Sequence, residues 1–142
     1  MSPETVCHIL LVEDNPGDVL LAQEAMAEAS HGHQILVARN GQEAMLALRQ
    51  QGDYAQTPRP NLVILDLNLP LKSGREVLIE MKTDPALSEI PVAVLTTSRF
   101  DQDVCLEYTA GRCIYFHKPQ RFQDLVAVMR SILGFANACG TC

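Results

Sequence analysis

Five side chains in this sequence could do chemistry together: the adjacent acids Glu13 and Asp14, the carboxylate of Asp66, the hydroxyl of Thr96 and the ammonium of Lys118. Each closes a run of apolar residues. His8-Ile9-Leu10-Leu11-Val12 leads into Glu13-Asp14, Leu62-Val63-Ile64-Leu65 into Asp66, and Val92-Ala93-Val94-Leu95 into Thr96; Cys113 to Phe116 runs into His117-Lys118-Pro119. Three carboxylates at one place repel each other unless a cation lies among them. Few neutral nitrogens or thiols share these positions, so the expected cation is hard and oxygen-bound, with Mg²⁺ the natural candidate. Such an ion keeps room for water and phosphate oxygens. Lys118 would supply a point charge for a phosphoryl oxygen, and Thr96 a hydroxyl donor. An aspartate in this setting can attack a phosphoryl group, a reaction that rests on positioning and charge neutralisation.

For these residues to meet, the apolar runs must be neighbouring strands. They are unbroken rather than alternating, which is the pattern of strands buried on both faces of a parallel sheet. Between them lie stretches with helical spacing. Asn15-Pro16 opens one that carries Leu20, Leu21, Ala25 and Met26, and Asn40-Gly41 opens one with Ala44, Met45 and Leu48. Ser73-Gly74 leads into Val77, Leu78 and Met81, closed by Asp84-Pro85. A fourth helix is expected to carry Val104, Leu106 and Tyr108 and to stop at Gly111. The last carries Phe122, Leu125, Val126, Met129, Ile132 and Leu133. The stretch from Ile132 to Phe135 fits either core or a protein-contact surface. With a short strand from Gln34 to Ala38, strand and helix alternate five times. The fold class is therefore α/β, a doubly wound five-stranded parallel sheet, and right-handed crossovers gather the strand C-termini on one edge.

Bulk properties narrow the classes. At 142 residues the chain is one domain, with a core over about residues 7–133 and a short tail, 134–142. A formal net charge of −6 argues against nucleic acid or an anionic membrane as partner. No apolar run approaches the ~18 residues of a membrane span, and no signal pattern opens the chain, so a cytoplasmic protein is expected. Cys7, Cys105 and Cys113 read as small buried hydrophobes. Cys139 and Cys142 form a C-x-x-C without a second ligand pair and read as an inert tail. His31-Gly32-His33 reads as a solvated loop.

The chain resembles the receiver domain of bacterial two-component response regulators. The matching pieces are Leu11-Val12-Glu13-Asp14, Ile64-Leu65-Asp66-Leu67-Asn68-Leu69-Pro70 with Gly74, Val94-Leu95-Thr96 and Lys118-Pro119. The resemblance implies a flavodoxin-like (βα)5 fold with strand order 2-1-3-4-5. It implies Asp66 as the phosphoacceptor from a histidine kinase, with Mg²⁺ held by Asp14, Asp66 and the backbone carbonyl of Asn68, and by Glu13 through water. Thr96 and Lys118 would contact the phosphoryl oxygens, Tyr115 would be the switch aromatic, and the Lys118–Pro119 bond would be cis. The only catalysis implied is the domain's own phosphorylation and dephosphorylation. Glu13-Asp14-Asn15-Pro16-Gly17-Asp18, Pro58-Arg59-Pro60-Asn61, Gly74-Arg75-Glu76-Val77-Leu78 and Leu95-Thr96-Thr97-Ser98 further resemble the stand-alone regulators of phytochrome kinases. A bilin-binding, light-regulated kinase is thus the implied partner. Homodimerisation would use the fourth helix, fifth strand and fifth helix, and no DNA-binding output domain is expected after the last helix. Thr97 departs from the small residue preferred there and would narrow access to Asp66.

Other readings have specific requirements. A phosphatase of the haloacid dehalogenase type wants an acid two residues after its nucleophile, where this chain has Asn68. A flavodoxin-like cofactor binder wants a Ser/Thr/Gly-rich loop after the first strand, where Glu13-Asp14 would repel a phosphate. A degenerate receiver that only binds partners requires that access to Asp66 be blocked. The other reading of Tyr115 is core filler.

Overall fold

Three mainly aliphatic strands form the middle of the sheet and two half-buried ones its edges. A computed structural model describes residues 6–98, 101, 103–108 and 111–142. The strands are β1 (His8–Val12), β2 (Gln34–Ala38), β3 (Leu62–Leu65), β4 (Val92–Thr96) and β5 (Cys113–His117), all parallel in the order β2-β1-β3-β4-β5. Every residue of β3 and β4 is buried, as unbroken aliphatic runs require, whereas β2 and β5 are mostly half-buried at the sheet edges.

Side chains alternate between two cores. Leu10, Val12, Val63, Leu65, Val92 and Val94 face α2 (Gly41–Leu48) and α3 (Gly74–Thr83). Ile9, Leu11, Leu62, Ile64, Ala93 and Leu95 face α1 (Pro16–Ala29) and α4 (Phe122–Ala138). The register sets the strand ends level: Val12 lies beside Ala38 and Leu65, Leu65 beside Val94, and Thr96 beside His117.

Helix starts follow their caps. Asn15 accepts from Asp18 N–H with Pro16 in the first turn, Asn40 accepts from Glu43 N–H, and Ser73 with Glu76 closes a capping box. Two glycines are dictated by close approach. A Cβ on Gly74 would stand 2.2 Å from Asp66 O, and one on Gly41 would stand 2.0 Å from Lys72 O. Gly74 therefore lets the start of α3 lie directly on the backbone that presents Asp66.

Several expectations need correction. Between β4 and β5 the described residues hold a 3₁₀ turn, Val104–Glu107, rather than a longer helix. Val104 and Tyr108 are buried there, but Leu106 is 84% exposed, because it falls two positions from each on the opposite side of the turn. Thr109 and Ala110, where that helix was expected to end, lie outside the described residues. The last helix, now α4, runs through Gly134 to Ala138, so the tail is shorter than expected. Ile132 and Ala136 are core residues on its inner face, and Leu133 packs against the same core.

No peptide bond among the described residues is cis, so Lys118–Pro119 is trans. The trans isomer is the intrinsically favoured one for any X–Pro bond, and with it Lys118 already reaches its partners. Four of the five cysteines are paired, Cys7 with Cys142 of the tail expected to be inert and Cys105 with Cys113, each pair with Cα atoms 5.1 Å apart; Cys139 is free, and Cys105 and Cys113 are half-buried rather than buried. Burial of Cys7 is as expected, but its partner lies 135 residues away, where spacing carries no information. His33 is also more than solvated loop: its Nδ1 accepts from Cys7 N–H at 3.2 Å and its Nε2 lies 3.1 Å from Ser30 Oγ.

Candidate functional site at the carboxyl edge of the sheet

Three strand ends, those of β1, β3 and β5, are held by one more backbone hydrogen bond past the last ladder residue. Glu13 N–H donates to Ala38 O at 2.9 Å, Asp66 N–H to Val12 O at 3.1 Å, and Lys118 N–H to Thr96 O at 2.8 Å. Glu13, Asp66 and Lys118 are thereby fixed at one edge of the sheet before their side chains are considered.

Lys118 is the hub. Its Nζ donates to Asp66 Oδ2 at 3.1 Å, to Asp18 Oδ2 at 3.0 Å and to Glu13 Oε1. Glu13 and Asp66 are buried, Asp14 is exposed, and one carboxylate oxygen from each lies within 4.8 Å of the other two. Four carboxylates thus face one ammonium. Burial pushes the Glu13 carboxyl up from its ordinary pKa, and the hydrogen bond and charge of Lys118 only partly offset this. Burial works against the Lys118 ammonium too, yet the bond to Glu13 and the charges of Asp66 and Glu13 outweigh it and hold its pKa above the usual lysine value. The cluster remains under-neutralised, and its donors are all oxygens. That combination suits a hard divalent cation bound by Glu13, Asp14 and Asp66.

Asn68 N–H donates to Asp66 Oδ1 at 3.1 Å, so one oxygen of the aspartate is oriented by backbone and the other by Lys118. Thr96 is fully buried at the end of β4, and its Oγ1 accepts from Ser98 N–H at 3.2 Å. Tyr115 lies beside Val94 on β5, and its hydroxyl donates to Ser98 O. Ser98 Oγ in turn donates to Asp101 Oδ2 at 2.7 Å, and Asp101 pairs with Arg75 of α3. Those two bonds, Ser98 first, hold the Asp101 carboxyl below its ordinary range. Thr97 is exposed, with its carbonyl 3.1 Å from His117 Nε2. A cleft beside the cluster is lined by Asp18, Asp66, Lys118 and Pro119 with apolar Leu21 and Leu125.

Sequence reasoning missed Asp18 and Ser98. Asp18 stands in the first turn of α1, four residues after Asp14, a spacing that could have flagged a fourth acid at the same edge. Ser98 had no distinguishing signal, since it meets Thr96 and Tyr115 through its N–H and carbonyl, which any residue could supply, and only its bond to Asp101 uses the side chain.

A model of the response regulator receiver domain matches residues 9–130. Response regulator Rcp1 of Synechocystis sp. is 46% identical over 127 residues, covering 89% of this chain and 86% of that protein. The crystal structure of the phosphorylated cyanobacterial phytochrome response regulator RcpA superposes with a TM-score of 0.82 at 42% identity, covering 94% of this chain and 96% of that one. The Mn²⁺-bound form of Rcp1 gives a TM-score of 0.79 at 44% identity, covering 91% and 93%.

Proposed function

The chain belongs to the response regulator receiver family, related to phytochrome response regulators, and from that premise we propose that it is a phosphorylation switch with Asp66 as phosphoacceptor. The observation that carries the reading is the placement of Asp66: nearly buried, oriented on one oxygen by Asn68 N–H and on the other by Lys118, beside a cation-sized group of acids. An Asp66 oxygen attacks the phosphorus of a phosphohistidine; the P–O bond forms as the P–N bond breaks, and the imidazole leaves. Lys118, now bonded to three carboxylates, turns toward the phosphoryl oxygens as negative charge arrives. Asp14, Asp66, the Asn68 carbonyl and Glu13 through water would hold Mg²⁺, which supplies charge neutralisation for the transfer.

Thr96 and Tyr115 carry the state outward. When the Thr96 hydroxyl bonds the phosphoryl group, its bond with Ser98 N–H is released, and with it the position of the Ser98 carbonyl that Tyr115 holds. The face that senses this comprises the turn at Val104–Glu107, β5 and α4, and it is the face we assign to homodimerisation or partner docking. The names of RcpA and Rcp1 support a phytochrome-type histidine kinase upstream. Residues 1–142 are read as a single receiver that acts in the cytoplasm through protein contacts; coverage of 86% of Rcp1 supports this organisation. No helix among the described residues is long and apolar enough to cross a membrane.

The test is intact-mass spectrometry after incubation with Mg²⁺ and a small phosphodonor. One phosphoryl group should be gained, lost at alkaline pH, and absent in Asp66→Asn. An unmodified wild-type mass from folded protein would refute the switch.

A further inference from the structure

Past the last helix the chain returns to the start of the sheet and is tied there through a cysteine pair, while Cys139 Sγ donates to Gly111 O at 3.6 Å. Cys142 is bonded to Cys7, and Cys139, three residues earlier, keeps a free thiol. The chain bends sharply between them. The last helix ends at Ala138 with Cys139 as its C-cap, Gly140 takes φ 81°, Gly140 N–H donates to Asn137 O at 2.9 Å, and Thr141 N–H reaches back to Ala136 O at 3.3 Å. Only two residues of a turn separate Cys139 from Cys142, the spacing of a C-x-x-C ring. The three sulfurs differ in access. Cys7 is fully buried beneath the core between the sheet, α1 and α4, while Cys139 and Cys142 are half-buried. Cys139, Gly140 and Thr141 also line an open groove with Arg59, Glu89 and Arg112, on the opposite side of the sheet from Asp66.

We propose that Cys7, Cys139 and Cys142 form a thiol–disulfide exchange site whose external partner is a dithiol reductant. The Cys139 thiolate attacks Cys142 Sγ; the Cys139–Cys142 bond forms, the Cys142–Cys7 bond breaks, and Cys7 leaves as a thiolate that takes up the proton Cys139 gave off. This first step exchanges partners without net oxidation. The dithiol then attacks the relocated bond through a mixed disulfide, and its second thiol closes that intermediate. Two electrons pass to Cys139 and Cys142, which gain two protons, and the dithiol becomes a disulfide. The exchange moves a bond with one buried sulfur to a pair that a reductant can reach. Its result is release of residues 139–142 from the start of β1. In a compartment that keeps thiols reduced, such a bond is the kind that cycles rather than persists.

The experiment compares air-oxidised wild type with Cys139→Ser in dithiothreitol, quenched with acid at intervals, alkylated and peptide-mapped. The Cys7–Cys142 bond should open about tenfold or more faster in wild type, because the intramolecular thiol acts at high effective concentration. A Cys139–Cys142 linked peptide should precede full reduction. The Cys105–Cys113 bond should open equally fast in both proteins. Unfolding would speed reduction, so slower opening in Cys139→Ser cannot come from a damaged fold. Equal or faster opening of Cys7–Cys142 in the variant, absence of the Cys139–Cys142 peptide, or Cys7 recovered as a thiol from oxidised native protein would each overturn the proposal.

Discussion

Lys118 Nζ lies 3.1 Å from Asp66 Oδ2 while also bonded to Glu13 and Asp18, so a single ammonium just past β5 holds acids from α1 and from the ends of β1 and β3. Substituting Lys118→Met leaves buried Glu13 with no counter-charge. Breaking a buried ion pair from one side costs about 3–5 kcal/mol. Urea denaturation in chelator should show a loss near the lower end of that range, because Asp18 stays partly solvated, and millimolar Mg²⁺ should restore part of it. An equal loss with and without the cation would mean that Lys118 and the ion do not serve the same acids.

Asp14 is exposed, so its charge adds repulsion to the cluster without the desolvation that burdens Glu13. In chelator, Asp14→Asn should leave stability unchanged or raise it by up to about 0.5 kcal/mol, in the range of weak surface charge interactions. A cation at a hundred times its dissociation constant stabilises a native protein by about 2.7 kcal/mol. Thermal unfolding of the variant with Mg²⁺ or Mn²⁺ should recover only a minor part of that gain.

Two helical glycines should respond in opposite directions to alanine. Gly74→Ala drives a Cβ into Asp66 O and Leu67 Cα, so the start of α3 must shift, at about 1–3 kcal/mol or more, and phosphorylation of Asp66 should slow with it. Gly134 sits inside α4 with open space where a Cβ would go, and Gly134→Ala should stabilise by about 0.5–1 kcal/mol. Paired denaturant titrations check both signs.

Tyr108 donates its buried hydroxyl to Ile90 O at 2.9 Å and to Leu87 O at 3.2 Å, and burial raises its pKa well above the ordinary tyrosine value. The folded state therefore favours the neutral phenol. Its contribution is fully present below about pH 10, the unfolded value, and declines as pH rises above it, because only the unfolded chain gives up the proton. In Tyr108→Phe the alkaline fall of stability should be shallower, with about 1 kcal/mol lost at neutral pH for the missing hydrogen bonds. Denaturation series from pH 8 to about pH 11 decide it.

What could be read in advance was whatever local pattern determines. Short apolar runs located all five strands, and polar residues closing four of them located Glu13, Asp14, Asp66, Thr96 and Lys118 on one edge. The order β2-β1-β3-β4-β5 came from resemblance and is what the sheet shows. Contacts set by tertiary approach were not legible. Asp18 stood only as one residue of a resembling stretch, Gly41 only as part of a helix start, and the partner of Cys7 lay at the other end of the chain. The turn at Val104–Glu107 failed for a different reason: Leu106 supplied apolar character to a helical pattern although nothing covers most of its side chain.

The hub at Lys118 also has a history within synthesis. Its three partners precede it by 105, 100 and 52 residues, so every acid of the cluster emerges from the ribosome before the ammonium that holds it. A nascent chain with β1 and β3 in place carries the acids uncompensated until β5 is added at the far edge. The sheet cannot complete its electrostatics early. Closure of the last strand delivers the charge that makes the other strand ends compatible, which ties assembly of the pocket around Asp66 to a late step of vectorial folding.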